Sequence, residues 1–156
     1  MKTFLILLTI TLTCINCSKD EPQPTIIPNN NIYIGSAFSI KLNQCKVLID
    51  SANNQTYSLC LDSVMDARIL KEDCYLTFFP GLATIGITWI NQNQDSTNIA
   101  LKIEGCPSSL NNCPIALSVD TLGYRFCFLK LDPHPDTINF PINQNDYVAK
   151  LKITKL

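Results

Sequence analysis

Along most of the chain, apolar and polar positions alternate with a period of two. Phe38-Ile40-Leu42 alternates with Ser39 and Lys41, and Tyr57-Leu59-Leu61 with Ser58, Cys60 and Asp62. Residues 83–91 (ATIGITWIN) and 98–104 (NIALKIE) are rich in β-formers and flank the polar turn QNQDST. Tyr124-Phe126-Phe128 alternates with Arg125, Cys127 and Leu129, and Tyr147-Ala149-Leu151-Ile153 with Val148, Lys150, Lys152 and Thr154. Such alternation predicts strands with one face on a core and the other in water. Only Ser63 to Asp73 (SVMDARILKED) leaves room for one short helical turn. Strands joined by Asn, Asp, Gly and Pro turns, without the crossover helices of a parallel sheet, predict an all-β domain. The expected class is an immunoglobulin-like β-sandwich of about seven or eight antiparallel strands.

The amino end reads differently. Met1-Lys2 is a positive start and Phe4 to Thr13 (FLILLTITLT) carries no charge, the length of a signal-peptide core and short of the ~20 residues of a membrane span. The run closes on CINCSKDEPQP, Cys14 to Pro24. Bacterial lipoproteins are cut just before a cysteine whose sulfur carries a diacylglycerol, and this junction resembles theirs. Cys14 and Cys17 compete for that role. Cys17 is favoured because CSKDEP resembles the start of mature Bacteroidetes lipoproteins, in which acidic residues near the anchor accompany display on the outer membrane. A plain secretory signal is the alternative, and a Cys14-x-x-Cys17 redox or zinc pair lacks a partner pair. The expected organisation is a lipoprotein signal peptide over residues 1–16, a lipidated Cys17 with a tether over 17–31, and a β-sandwich over 32–156. Each buried acyl methylene contributes ~0.8 kcal/mol, so several chains anchor durably. An extended tether at ~3.1 Å per residue reaches roughly 40 Å.

Composition narrows the partners. From Cys17 the chain carries 11 Lys and Arg against 13 Asp and Glu, a formal charge of −2, with no clustered basic face for nucleic acid. The expected partners are the membrane, through the lipid, and an envelope protein or glycan. No cofactor or metal is expected.

Six cysteines remain for the domain: Cys45, Cys60, Cys74, Cys106, Cys113 and Cys127. An even number in an exported chain reads as a disulfide framework, with fifteen possible connectivities. The turn DSANNQ sets Ile49 opposite Thr56 and therefore Cys45 opposite Cys60. In that register Cys45, Val47 and Ile49 face outward and Leu48 faces the core, and a slip of one residue forbids the bridge. Cys106 and Cys113 close the loop CPSSLNNC, for which a local bridge is the simplest reading, and elimination leaves Cys74 for Cys127.

Several stretches resemble a group of small Bacteroidetes lipoproteins of uncharacterised function. Phe38-Ser39-Ile40 with Asn43-Gln44 stands for the group's F-x-L-x-x-G-Q, and Val64 to Arg68 for a strand running into D-S-R-C-P. Gly81-Leu82-Ala83 stands for the G-x-A of C-x-W-x-G-x-A. Gly123 to Phe126, Pro133-His134-Pro135 and Tyr147 to Lys155 complete the series. Ile69 and Leu70 replace the group's motif cysteine and proline, and Phe79-Pro80 its tryptophan region. The resemblance implies a compact β-domain on a lipid tether and no established reaction. It also implies that Cys74 lacks a local partner.

Candidate chemistry is sparse. His134, the sole histidine, lies between Asp132 and Asp136 in DPHPD, a possible metal or acid-base set that alternating prolines hold extended. Against that reading stands an exposed loop histidine. Asp66 and Arg68 read as a recognition pair or, more simply, as a loop salt bridge with a capping aspartate. Asp62, Asp66, Glu72 and Asp73 form an acidic group without the spacing of a calcium loop. Trp89 reads as core. Neither a G-x-S-x-G elbow nor a glycine-rich phosphate loop occurs. The expectation is a non-enzymatic binding or structural module, with exposed Val47 and Ile49 marking a partner surface. The alternatives are an enzyme or accessory subunit acting on envelope or extracellular polymers, or an inhibitor whose Cys106–Cys113 loop offers Leu110.

Overall fold

The alternating segments pair into two antiparallel layers. The computed structural model describes residues 31–74, 81–106 and 117–156, so Cys14, Cys17, Leu110 and Cys113 lie outside the described residues. Nine strands are present there: β1 (Ile32–Tyr33), β2 (Ala37–Lys41), β3 (Cys45–Asp50), β4 (Gln55–Asp66), β5 (Leu82–Ile90), β6 (Ser96–Glu104), β7 (Ser118–Thr121), β8 (Tyr124–Asp132) and β9 (Val148–Lys155). One sheet has the order β1-β3-β4-β5-β6 and the other β2-β9-β8-β7. The short β1 runs parallel to β3, and every other pair is antiparallel. Strands β3 to β6 follow one another as a meander, as do β7 to β9, with β2 returning beside β9. The helical turn foreseen in Ser63–Asp73 shrinks to a single 3₁₀ turn at Lys71–Asp73, because β4 continues to Asp66. Among the described residues no helix is long and apolar enough to cross a membrane.

The inward positions fuse into one core. Leu59 and Leu61 of β4, Ile85, Ile87 and Trp89 of β5, and Leu101 of β6 belong to the same cluster as Phe126 and Phe128 of β8 and Leu151 and Ile153 of β9. Two bulges keep the alternation in phase with the core. The register shifts between Leu61 and Ser63, so Val64 turns inward where strict alternation would place Ser63. A second shift between Phe128 and Lys130 absorbs Leu129, leaving Lys130 outside and Leu131 inside. One extra residue reverses the faces beyond it, which is what each sequence requires.

Cys45 pairs with Cys60 in the ladder and is bonded to it. Leu48 is fully buried, Val47 is exposed and Ile49 half-buried, as the register demands. With its cysteines 15 positions apart in sequence, the bridge contributes ~3 kcal/mol in the chain-entropy view. The other two pairings need correction. Cys127 is disulfide-bonded, but Cys74 carries a free thiol, so these two are not joined. Cys106 is free as well, which removes the expected Cys106–Cys113 bridge. The fold explains both. Cys127 sits in mid-β8 between Ser118 and Lys152, whereas Cys74 follows the Lys71–Asp73 turn and lies beside Cys106, just beyond β6.

Strand directions define two ends. The β3–β4, β5–β6 and β7–β8 turns gather at one. At the other meet the ends of β4, β6 and β8 and the starts of β5 and β9.

Candidate binding site

At the turn end, three aromatic side chains from two sheets meet. Tyr57 lies near the start of β4, Trp89 next to the end of β5, and Tyr124 opens β8. Tyr57 stacks on Trp89 with ring centroids 4.5 Å apart and planes at 25°. Tyr124 stands 5.5 Å from both, edge-on to Tyr57 and tilted to Trp89. Trp89 also meets Phe126 edge-to-face at 5.2 Å, so one indole joins the core to the surface. Such pairs contribute roughly 0.5–1.5 kcal/mol each beyond their burial.

These rings floor a cleft of about 450 Å³, rimmed by Gln55, Asn91, Gln92, Asn93, Asp95 and Thr97 with Leu122. The rim is built by self-capping turns. The Asn91 side-chain carbonyl accepts from the N–H groups of Asn93 and Asp95, both at 2.9 Å, and its amide donates to Asp95 at 3.0 Å. This is the Asx chemistry that closes loops locally. It leaves the Gln92 and Asn93 side chains exposed at the rim. Leu122 and Gly123 both have positive φ, at 55° and 78°, the pattern of a tight type I′ hairpin turn. Asparagine suits the first of those positions, whereas a bulky residue there is an outlier. Leu122 is half-exposed on the cleft wall.

Behind the cleft, Asp50 is buried and ties the turn to the second sheet. It accepts from Ala52 N–H at 3.0 Å, from the Asn53 amide at 2.9 Å and from the Tyr124 hydroxyl at 2.7 Å. The Tyr124 bond is the main reason its carboxyl lies below the ordinary carboxylate value, against the opposing effect of burial. Burial, then Tyr57 and Asp50, push the Tyr124 hydroxyl well above its usual pKa. Three oxygen contacts run in line: Asp50 to Tyr124, Tyr124 to Tyr57 at 3.0 Å, and Tyr57 to Gln55 at 2.5 Å. Two phenols supply two protons for three contacts. A Gln55 amide turned so that nitrogen donates to Tyr57 completes the chain.

The opposite end holds the residues singled out from the sequence. Asp66 and Arg68 do come together, as a buried ion pair at 2.6 Å. Arg68 Nε donates to Asp66 Oδ1 at 2.7 Å and Nη2 to Oδ2, while Nη1 reaches the Leu131 carbonyl at 2.8 Å and Nη2 the Pro133 carbonyl at 2.9 Å. Tyr147 donates to Asp66 at 3.0 Å. With its donors taken by the second sheet and the loop beyond β8, the arginine is a clamp between layers. Burial acts to raise the Asp66 carboxyl, but Arg68 and Tyr147 together hold it below its usual value.

His134 does not gather ligands with its neighbours. Its ring nitrogens face the Gly105 and Pro135 carbonyls. Asp132 pairs instead with Lys130 at 2.8 Å, and Asp136 caps Ile138 and Asn139. Asp62 accepts from Thr88 on the exposed face of the sheet, four residues along β4 from Asp66, and takes no part in the Asp66–Arg68 pair. Trp89 is core, as read, but also the floor of a cleft that the sequence reading missed. The available signal was two amide-rich turns, DSANNQ and NQNQD, each abutting an aromatic-bearing strand end.

No family model, no curated protein and no solved structure matches the chain.

Proposed function

We propose that the protein is an exported lipoprotein anchored through Cys17 to the outer membrane, and that its domain is a non-enzymatic binding module working through the aromatic cleft. The cleft carries this reading. It joins an apolar floor to convergent polar groups, the composition of a small-ligand site. Its hydrogen bonds fix side chains in place without positioning a nucleophile beside a base. The Asp66–Arg68 clamp and His134, which an enzyme or polymer-acting subunit would use, serve the fold instead. The anchor rests on the FLILLTITLT run closed by CINCSKDEP. The immunoglobulin-like class belongs to this proposal at the level of two packed layers with binding loops clustered at one end.

Replacing Cys17 with alanine is expected to move the protein from the membrane to the soluble fraction while its fold persists. Full membrane retention of that variant would refute the anchor.

A further inference from the structure

We propose that the Tyr57–Trp89–Tyr124 cleft takes a neutral oligosaccharide. The inference deepens the binding-module reading and rests on it. Among the described residues no lysine, arginine or histidine lines the cleft, and the one carboxylate there, Asp95, is already held by Asn91. An anionic ligand would therefore find no counter-charge. Side-chain amides and a hydroxyl dominate the rim instead. The exposed Gln92 and Asn93 amides each present a donor and an acceptor on one flat group, which suits hydroxyls that also do both. Half-buried Tyr57 and half-exposed Leu122 supply apolar surface for the C–H faces of a sugar ring.

A peptide strand is the competing occupant of a donor-and-acceptor site, but it binds by extending a sheet edge. Here the backbone around the rim is closed on itself, with Asn91 N–H on the Asp95 carbonyl and Gln94 N–H on that of Asn91, both at 3.1 Å. A second hollow of about 370 Å³ lies on the outer sheet face and shares Tyr57, Asn91 and Gln92 with the first. The two hollows make a run longer than one sugar ring, hence an oligomer. Leu122 adds an independent sign. Its left-handed backbone disfavours leucine, and strained residues of this kind collect at ligand sites.

Trp89 is the only tryptophan in the chain, so its emission reports on the cleft. The mature chain is titrated with hexasaccharides of α-glucan, β-glucan, xylan and mannan, with oligogalacturonate, and with an uncharged extended peptide. At least one neutral hexasaccharide is expected to shift Trp89 emission saturably, with affinity unchanged within about twofold between low and high salt. Gln92→Ala is expected to weaken it about tenfold or more. Leu122→Asn is expected to weaken it severalfold while raising the melting temperature, a combination that a purely structural leucine would not give. If only the galacturonate bound, and Gln92→Ala weakened it, the neutral character of the ligand would be overturned; if only the peptide bound, the saccharide class itself would be, and in either case the cleft would stand as a binding site. Silence towards every probe by a folded protein would overturn both.

A separate observation carries a second inference at the other end. The Cys106 thiol lies 3.6 Å from the Cys74 carbonyl. Burial first, then the Cys106 thiol, pushes Cys74 up to about 11. We infer that these two cysteines close into a disulfide in the exported chain. Cys106 attacks a disulfide oxidant to give a mixed disulfide. Cys74 then displaces the oxidant's second thiol, so two electrons reduce the oxidant to its dithiol and both thiol protons leave. After oxidation of the mature chain with oxidised glutathione, non-reducing peptide mapping is expected to yield a Cys74–Cys106 pair. In a Cys74→Ser variant, Cys106 is expected to become open to alkylation. Alkylation of both thiols after oxidation, or Cys74 joined elsewhere, would overturn it.

Discussion

Two buried carboxylates each lean on a tyrosine, Asp50 on Tyr124 at the turn end and Asp66 on Tyr147 at the other. Asp66 has its folded pKa below the ordinary 3.8, so its stabilising contribution is present above that value and disappears as pH falls through the lower folded one. Burial and the Asp66 charge push Tyr147 up to about 12, so its contribution is complete below pH ~10 and is lost between there and 12. Urea titrations of the mature chain across pH are expected to show both losses. Asp66→Asn is expected to flatten the acid limb, and Tyr147→Phe the alkaline one. Removing the arginine is harsher, because it leaves a buried carboxylate unpaired. Arg68→Met is expected to cost about 3–5 kcal/mol in the same assay. The pairing of Asp66 with Arg68 was readable because a single residue, Ala67, separates them in sequence. Buried Asp50 was not, since it belongs to a turn whose other members are all exposed.

At the scale of the element, alternation located the long strands because the core sorts side chains by face. It missed β7, where four residues show no inward pattern. It also missed both bulges, since a fixed period assumes an unbroken ladder. The Cys45–Cys60 bridge was legible because one turn sets its register. The pairings proposed for Cys74, Cys106 and Cys127 were not, because they depend on contacts between distant segments. Glycines at the connections separate strain from collision. Gly81 and Gly123 have similar positive φ, 71° and 78°. A Cβ on Gly81 would stand 2.1 Å from the Ala67 carbonyl oxygen, whereas one on Gly123 meets nothing within 4 Å. Gly123→Ala is expected to cost about 1–2 kcal/mol from the backbone alone. Gly81→Ala is expected to cost clearly more, since Ala67 donates its N–H to Leu82 and cannot retreat without breaking that bond. Equal urea midpoints for the two variants would refute the collision.

In the whole molecule, the two ends divide the work. Strand β4 carries Tyr57 near one end and Asp66 at the other, nine residues apart or roughly 30 Å along the strand. Between them lies a continuous apolar core, into which both Trp89 and Tyr147 are built. The Arg68 clamp holds the layers together at one end, so the turns at the other can present side chains whose own bonds are local. Changes at sites this far apart with no shared partner add to within about 0.3–0.5 kcal/mol. Arg68→Met and Leu122→Asn are therefore expected to combine additively in urea unfolding. A folded Arg68→Met protein, kept below its lowered melting temperature, is expected to keep the Trp89 response to an oligosaccharide. Loss of that response without loss of fold would mean that the clamp and the cleft form one functional unit, and the polymer-acting alternative would then gain the support it lacks from the geometry.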